Sequence, residues 1–266
     1  MNEEPVWRWP GMAGAVAALA SMAYAHVVAA GAVDPMRGLI SDYALFDASA
    51  WAMAGGTIML AMGAMWVAYG LARVDPAGSA AARVLFVAGA LGLLLTAVFP
   101  TDATPGVASA GGEIHRWAAA VVFTALPCAG WMTGRRFRRP ALSAVSTVST
   151  VLLAGFLATH PGSPVAELID GPAYYGLVER LLLLAEMALV FLAARSAGGP
   201  VPAPTTRPLR ERRSLPDAGE RPLSDANKSD ISPLTEPHFT YANVGYGSVV
   251  SEGDPHARIE SDRAAA

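Results

Sequence analysis

Six long apolar runs occupy the first 195 residues of the chain, with short polar segments between them. They span roughly residues 10–33, 49–71, 81–99, 117–133, 141–159 and 173–194. A helix needs about 20 mainly apolar residues to cross a hydrocarbon core of about 30 Å. The runs are continuous rather than alternating, so they predict helices and not the strands of a barrel. The expected fold is all-α, an integral membrane six-helix bundle over residues 1–195. Short connections predict antiparallel neighbours. Pro127, inside the fourth run, predicts a kink. Closely spaced small residues, Gly55, Gly56, Gly63, Gly89 and Gly92, predict close approach between helices. The first run is longer than the apolar core of a signal peptide, and its flank carries Glu3 and Glu4 beside Arg8, so it is read as a span.

The pattern changes after Arg195. Residues 196–266 are polar and rich in proline, serine, aspartate and arginine, without an amphipathic period. Such a segment cannot bury enough apolar surface to offset the entropy of ordering, so a disordered tail is expected. It would be free to recruit a cytoplasmic protein partner. The overall composition fits this division. The chain is 53% hydrophobic and only 15% charged, against about 25% charged for soluble domains. Its single cysteine, Cys128, lies in an apolar run, which suggests a packing residue and excludes an intrachain disulfide. No cofactor and no nucleic-acid partner are expected; the lipid bilayer is.

Charge sets the expected orientation, because arginine is retained in the cytoplasm. Arg8, Arg73, Arg83, Arg135, Arg136, Arg138, Arg139 and Arg195 all fall before the first span or after the second, fourth and sixth. The alternate loops carry Asp34, Asp42, Asp47, Asp102, Glu113, Glu167 and Asp170, with Arg37 and the boundary Arg116 as their arginines. A multi-pass plasma-membrane protein with both termini cytoplasmic follows. Trp7 and Trp9 read as interfacial anchors.

Ionisable groups at membrane depth are costly and usually face the bundle interior. His26 stands roughly 10 Å inside the outer end of the first span, and Glu179 at a similar depth in the sixth, at about 1.5 Å per residue. Arg180 follows Glu179, and Glu186 lies two turns further on nearly the same face. Ser41, Asp42, Tyr43, Asp102, Glu113, His115, Arg116 and His160 cluster at the same membrane side. One reading makes these groups structural, with Asp42, Asp47 or Ser49 capping the second helix. A second gathers His26, Ser41, Asp42, Tyr43, Asp102, Glu113, His115, Glu179 and Arg180 into an outward-facing polar pocket for a small molecule or lipid headgroup. A third places a metal on His115, His160 and Asp102 for hydrolysis at the membrane face, though no diagnostic spacing such as HExxH is present.

Four short motifs recur in order relative to the spans. They are Leu39-Ile40-Ser41-Asp42-Tyr43-Ala44, Phe99-Pro100-Thr101-Asp102, Gly112-Glu113-Ile114-His115-Arg116 and Gly176-Leu177-Val178-Glu179-Arg180. Together they resemble the domain of unknown function 998 family of prokaryotic multi-pass membrane proteins, over roughly residues 10–195. The resemblance implies the fold and carries no biochemical activity with it.

Overall fold

The computed structural model describes residues 8–103 and 108–197; Trp7 and the tail from residue 198 onward lie outside the described residues. Six long helices follow one another: α1 (Arg8–Val28), α2 (Asp47–Val74), α3 (Ala80–Val98), α4 (Ala110–Arg136), α5 (Pro140–Thr159) and α6 (Gly171–Ser196). A short 3-10 turn, Ile40–Leu45, precedes α2. The fold is all-α, as hydropathy predicts.

Two helix ends differ from the apolar runs, each for a local reason. The run expected to reach residue 33 stops being helical at Val28, and Gly31 then turns the chain at φ 85°. That conformation is open to glycine and costly to most other residues. α4 starts at Ala110, well before the apolar run at Trp117, because Ser109 caps it. The Ser109 hydroxyl accepts the Gly112 N–H at 3.0 Å, satisfying a donor that a helix start leaves unpaired. α4 continues as helix through the buried Pro127, whose missing N–H leaves the Phe123 carbonyl without its usual helical donor.

Each helix packs against its neighbours in sequence, and α6 returns to α1, so the six close a ring. α6 also touches α2 and α4 across the ring. It therefore has protein on more sides than the others. Five helices, α1 to α5, are long and apolar enough to cross a membrane. α6 has the length but carries Glu179, Arg180 and Glu186, all three of them buried.

Small residues set the closest contacts. A Cβ on Gly14 would lie 2.3 Å from the Met59 carbonyl, and one on Gly63 3.0 Å from the Gly11 carbonyl, so the backbones of α1 and α2 meet directly. Gly89 and Gly92 of α3 are covered by Leu126 and Val122 of α4. Gly55 departs from the expectation, because its missing side chain faces open space. Cys128 departs too, being exposed rather than packed.

The exposed aromatics fall into two levels. Tyr24, Trp51, Trp117 and Tyr174 lie toward the end that carries the 40–45 turn. Trp9, Trp66, Tyr69 and Trp131 lie toward the opposite end. Trp9 to Tyr24, Trp51 to Trp66 and Trp117 to Trp131 are each separated by about 21–23 Å along their helices at 1.5 Å per residue. Amphipathic rings collect at the two membrane–water interfaces, and this spacing is somewhat less than the ~30 Å hydrocarbon thickness. Between the two levels the outward surface is mainly apolar, with Ile58, Met62, Leu91, Val121 and Val151 exposed, and the exposed Thr124, Thr147 and Thr150 hydroxyls donate back to their own helices.

Candidate functional site

The sixth helix holds the loop before α2 through a group of interlocking contacts. Gly176 has no Cβ, and one built there would stand 2.1 Å from the Gly38 carbonyl. The loop can therefore lie directly on α6. The Leu177 N–H donates to the Met36 carbonyl at 3.1 Å, and the Ile40 N–H donates to Glu179 Oε2 at 2.5 Å. Arg180 Nη1 donates to the carbonyls of Gly38 at 2.7 Å and Gly176 at 2.8 Å. Its Nε donates to His26 Nε2 at 2.9 Å, and its Nη2 donates to the Tyr43 hydroxyl at 3.4 Å. The guanidinium also stands 5.6 Å from the centre of the Tyr43 ring. That distance is within the range for attraction between a cation and a ring face.

These partners settle the hydrogen position on His26. Its Nδ1 lies 2.8 Å from the Met22 carbonyl, which can only accept. Its Nε2 faces the Arg180 N–H, which can only donate. The ring is thus held as the neutral Nδ1–H tautomer. Asp42 serves the loop as well, accepting the Leu39 N–H at 2.8 Å. None of the expected residues caps α2. Its N-cap is Phe46, without a side-chain bond. The Ser49 hydroxyl instead donates to the Tyr43 carbonyl at 2.7 Å, fixing the 40–45 turn to α2.

Beside this assembly is a partly open cavity of about 300 Å³, lined by α1, α2, α3, α4, α6 and the 40–45 turn. On α2 its lining runs from Ala50 to Leu60, about 15 Å along the axis at 1.5 Å per residue. The polar groups Ser41, His115 and Glu179 lie toward the 40–45 turn; Leu60, Leu93, Leu183 and Met187 line the deeper part. Glu179 is only 6% exposed. One of its oxygens takes the Ile40 N–H, and the other has no protein partner among the described residues. His115 Nδ1 donates to the Phe99 carbonyl at 2.8 Å, which leaves Nε2 unpaired.

The remaining candidates separate from this cavity. Asp102 and Glu113 do not reach it. Asp102 accepts the Ser109 hydroxyl at 2.5 Å and pairs with Arg116 at 3.3 Å; Arg116 also pairs with Glu113 at 2.7 Å. The Ser109 hydroxyl, with the Ser109 N–H and Arg116 behind it, holds the Asp102 carboxyl below its ordinary range against the opposing effect of desolvation. His160 accepts the Gly162 N–H at 2.9 Å and meets the Tyr175 ring edge-on. The proposed metal set of His115, His160 and Asp102 is therefore not assembled. Each side chain is engaged elsewhere, and no three His, Cys, Asp or Glu residues among the described residues could share a metal ion. Glu179 and Glu186 are both buried, as their spacing predicts. They serve different neighbours, because Glu186 accepts the Ser149 hydroxyl of α5 at 2.6 Å. The other Glu186 oxygen is buried without a partner.

Several contacts had no signal in the sequence. Gly176 opens one of the four motifs, but nothing in the motif marks its contact with the Gly38 carbonyl. Thr57 and Thr96 line the cavity from inside apolar runs, where a hydroxyl bonding back to its own helix looks no different. Ser109 had a usable signal, a serine just ahead of a helix start, that the hydropathy reading passed over. A family model described as "Protein of unknown function (DUF998)" matches residues 12–196. No curated protein and no solved structure matches the chain.

Proposed function

The chain belongs to the DUF998 family of proteins of unknown function, and we propose that it is a multi-pass plasma-membrane protein that binds a small or lipid-derived ligand in the cavity beside Glu179. In this reading both termini are cytoplasmic, and the 40–45 turn lies at the outer face. The arginines support that orientation, since Arg73, Arg83, Arg135, Arg136 and Arg195 all fall at the opposite end of the bundle.

The observation that carries the proposal is the cavity with a Glu179 carboxyl oxygen left unpaired among the described residues in its wall. Ligand sites are concave and mainly apolar, with a few placed polar groups, and span roughly 300–1,000 Å³. A volume of about 300 Å³ is at the small end of that range. It suits one short chain or a compact molecule better than a whole two-chain lipid. The pocket expected from sequence is therefore narrower in its polar membership. Ser41, His115 and Glu179 line it, while His26, Asp42, Tyr43 and Arg180 build its wall from behind.

The test uses the full chain in nanodiscs. Octylamine, octan-1-ol and octanoate are added separately, and thermal unfolding is followed. Binding of at least one should raise the melting temperature of the native chain. Ala54→Phe, which fills the cavity from α2, should abolish that rise while unfolding cooperatively. Equal responses from the native and filled chains would show that the probes act through the bilayer, and the proposal would be lost.

A further inference from the structure

We propose that the cavity selects ligands whose polar end donates hydrogen bonds, an amine or hydroxyl head on a short apolar chain, and rejects carboxylate or phosphate heads. This rests on the reading of the cavity as a ligand site. It comes from accounting for each polar group in the lining.

Glu179 presents its second carboxyl oxygen, which accepts when the group is ionised. His115 has its Nδ1–H committed to the Phe99 carbonyl, so Nε2 is the nitrogen left for a ligand, and with a single ring proton it accepts. The Thr57 hydroxyl donates to the Met53 carbonyl at 2.8 Å, and the Thr96 hydroxyl donates to the Leu93 carbonyl at 2.8 Å. Each has spent its proton, and each keeps lone pairs to offer. Ser21 and Ser41 make no hydrogen bond with the described residues and can act in either sense. The side chains around the cavity thus supply acceptors in excess of donors.

The nearest cation does not reverse this balance. Arg180 follows Glu179 in sequence but is absent from the lining. Four of its five N–H groups are committed to His26, Gly38, Gly176 and Tyr43. An anionic head would therefore meet acceptors, with no guanidinium among the lining residues. Buried acceptors that face other acceptors lose the hydration they gave up. A head with N–H or O–H groups would satisfy them. The polar groups at the 40–45 end and the apolar deep wall also fix the direction of entry, chain inward and head toward the turn.

The experiment compares heads on one chain length, with the full protein in nanodiscs at about pH 8.5, above the ordinary range of carboxyl groups and below that of alkylamines. Octan-1-ol and octyl methyl ether form a neutral pair differing in a donor. Octylamine and octanoate form a charged pair. Responses of the cavity-filled Ala54→Phe chain are subtracted to remove bilayer effects. The alcohol should bind at least about tenfold tighter than its ether, and the amine at least about tenfold tighter than the carboxylate. Glu179→Gln keeps an oxygen for the Ile40 N–H and turns an amide N–H₂ into the cavity, so it should narrow or invert the amine-over-carboxylate ratio. The native-chain ratios stand as the test even if that variant does not fold. Equal binding of both members of each pair, or a preference for ether and octanoate, would overturn the selectivity while leaving a ligand cavity in place. No binding by any of the four would instead remove the cavity reading itself.

Discussion

Arg180 shows how one residue can organise a site that it does not enter. A guanidinium carries five N–H donors in a rigid fork, and here four of them reach α1, the segment from Gly38 to Tyr43 before α2, and α6 itself. A charge at this depth persists only if its donors are met, and the loop carbonyl of Gly38 meets one because Gly176 lets it approach. That dependence gives a direct prediction. Gly176→Ala would place a methyl against the Gly38 carbonyl. It should lower stability by about 1–3 kcal/mol, the usual cost of overpacking, seen as a lower melting temperature of the purified chain. A variant as stable as the native chain would mean that the loop does not rest on α6. The sequence makes Glu179 and Arg180 conspicuous as charges inside an apolar run. It gives no view of their partners, because Gly38 and Ile40 contribute backbone atoms that any residue would supply.

At the scale of the helix, position within the ring decides what a sequence feature does. α1 and α2 touch through Gly14 and Gly63, and a Cβ at Gly14 would meet backbone rather than a movable side chain. Gly14→Ala should therefore destabilise the protein by about 1–3 kcal/mol. Gly55 is also in α2 but exposed and clear of neighbours. Gly55→Ala should be neutral or stabilise by up to about 1 kcal/mol, from better helix propensity alone. Thermal unfolding of the two variants side by side checks the pair, and the same response from both would contradict the α1–α2 contact. Composition cannot separate these glycines, since each sits in an alanine-rich run. Only the direction each faces distinguishes them. The same holds for α6, whose polarity argues against a lipid-exposed span until its extra neighbours are seen to cover Glu179, Arg180 and Glu186.

For the whole molecule, the charge asymmetry and the two aromatic levels describe one slab. The basic end contains a specific lock, the Arg136–Asp75 ion pair at 2.7 Å between α4 and the α2–α3 connection. The hydrogen bond from Arg136 holds the Asp75 carboxyl below its ordinary range. The proposed orientation predicts that a reporter fused after Arg139 reports the cytoplasm and one inserted between Asp102 and Gly111 reports the outside. Reporters in the opposite compartments would invert the arrangement and place the cavity at the inner face. The sequence by itself determined the six helices, their antiparallel order and the end at which polar groups gather. Each of these follows from local hydropathy and short connections. It could not determine which polar groups meet. Tertiary structure decided that His26 serves Arg180, that Asp102 and Glu113 close on Arg116, and that Glu179 and His115 line one cavity. Those pairings join residues far apart in the chain, through backbone atoms and missing side chains that leave no periodic trace.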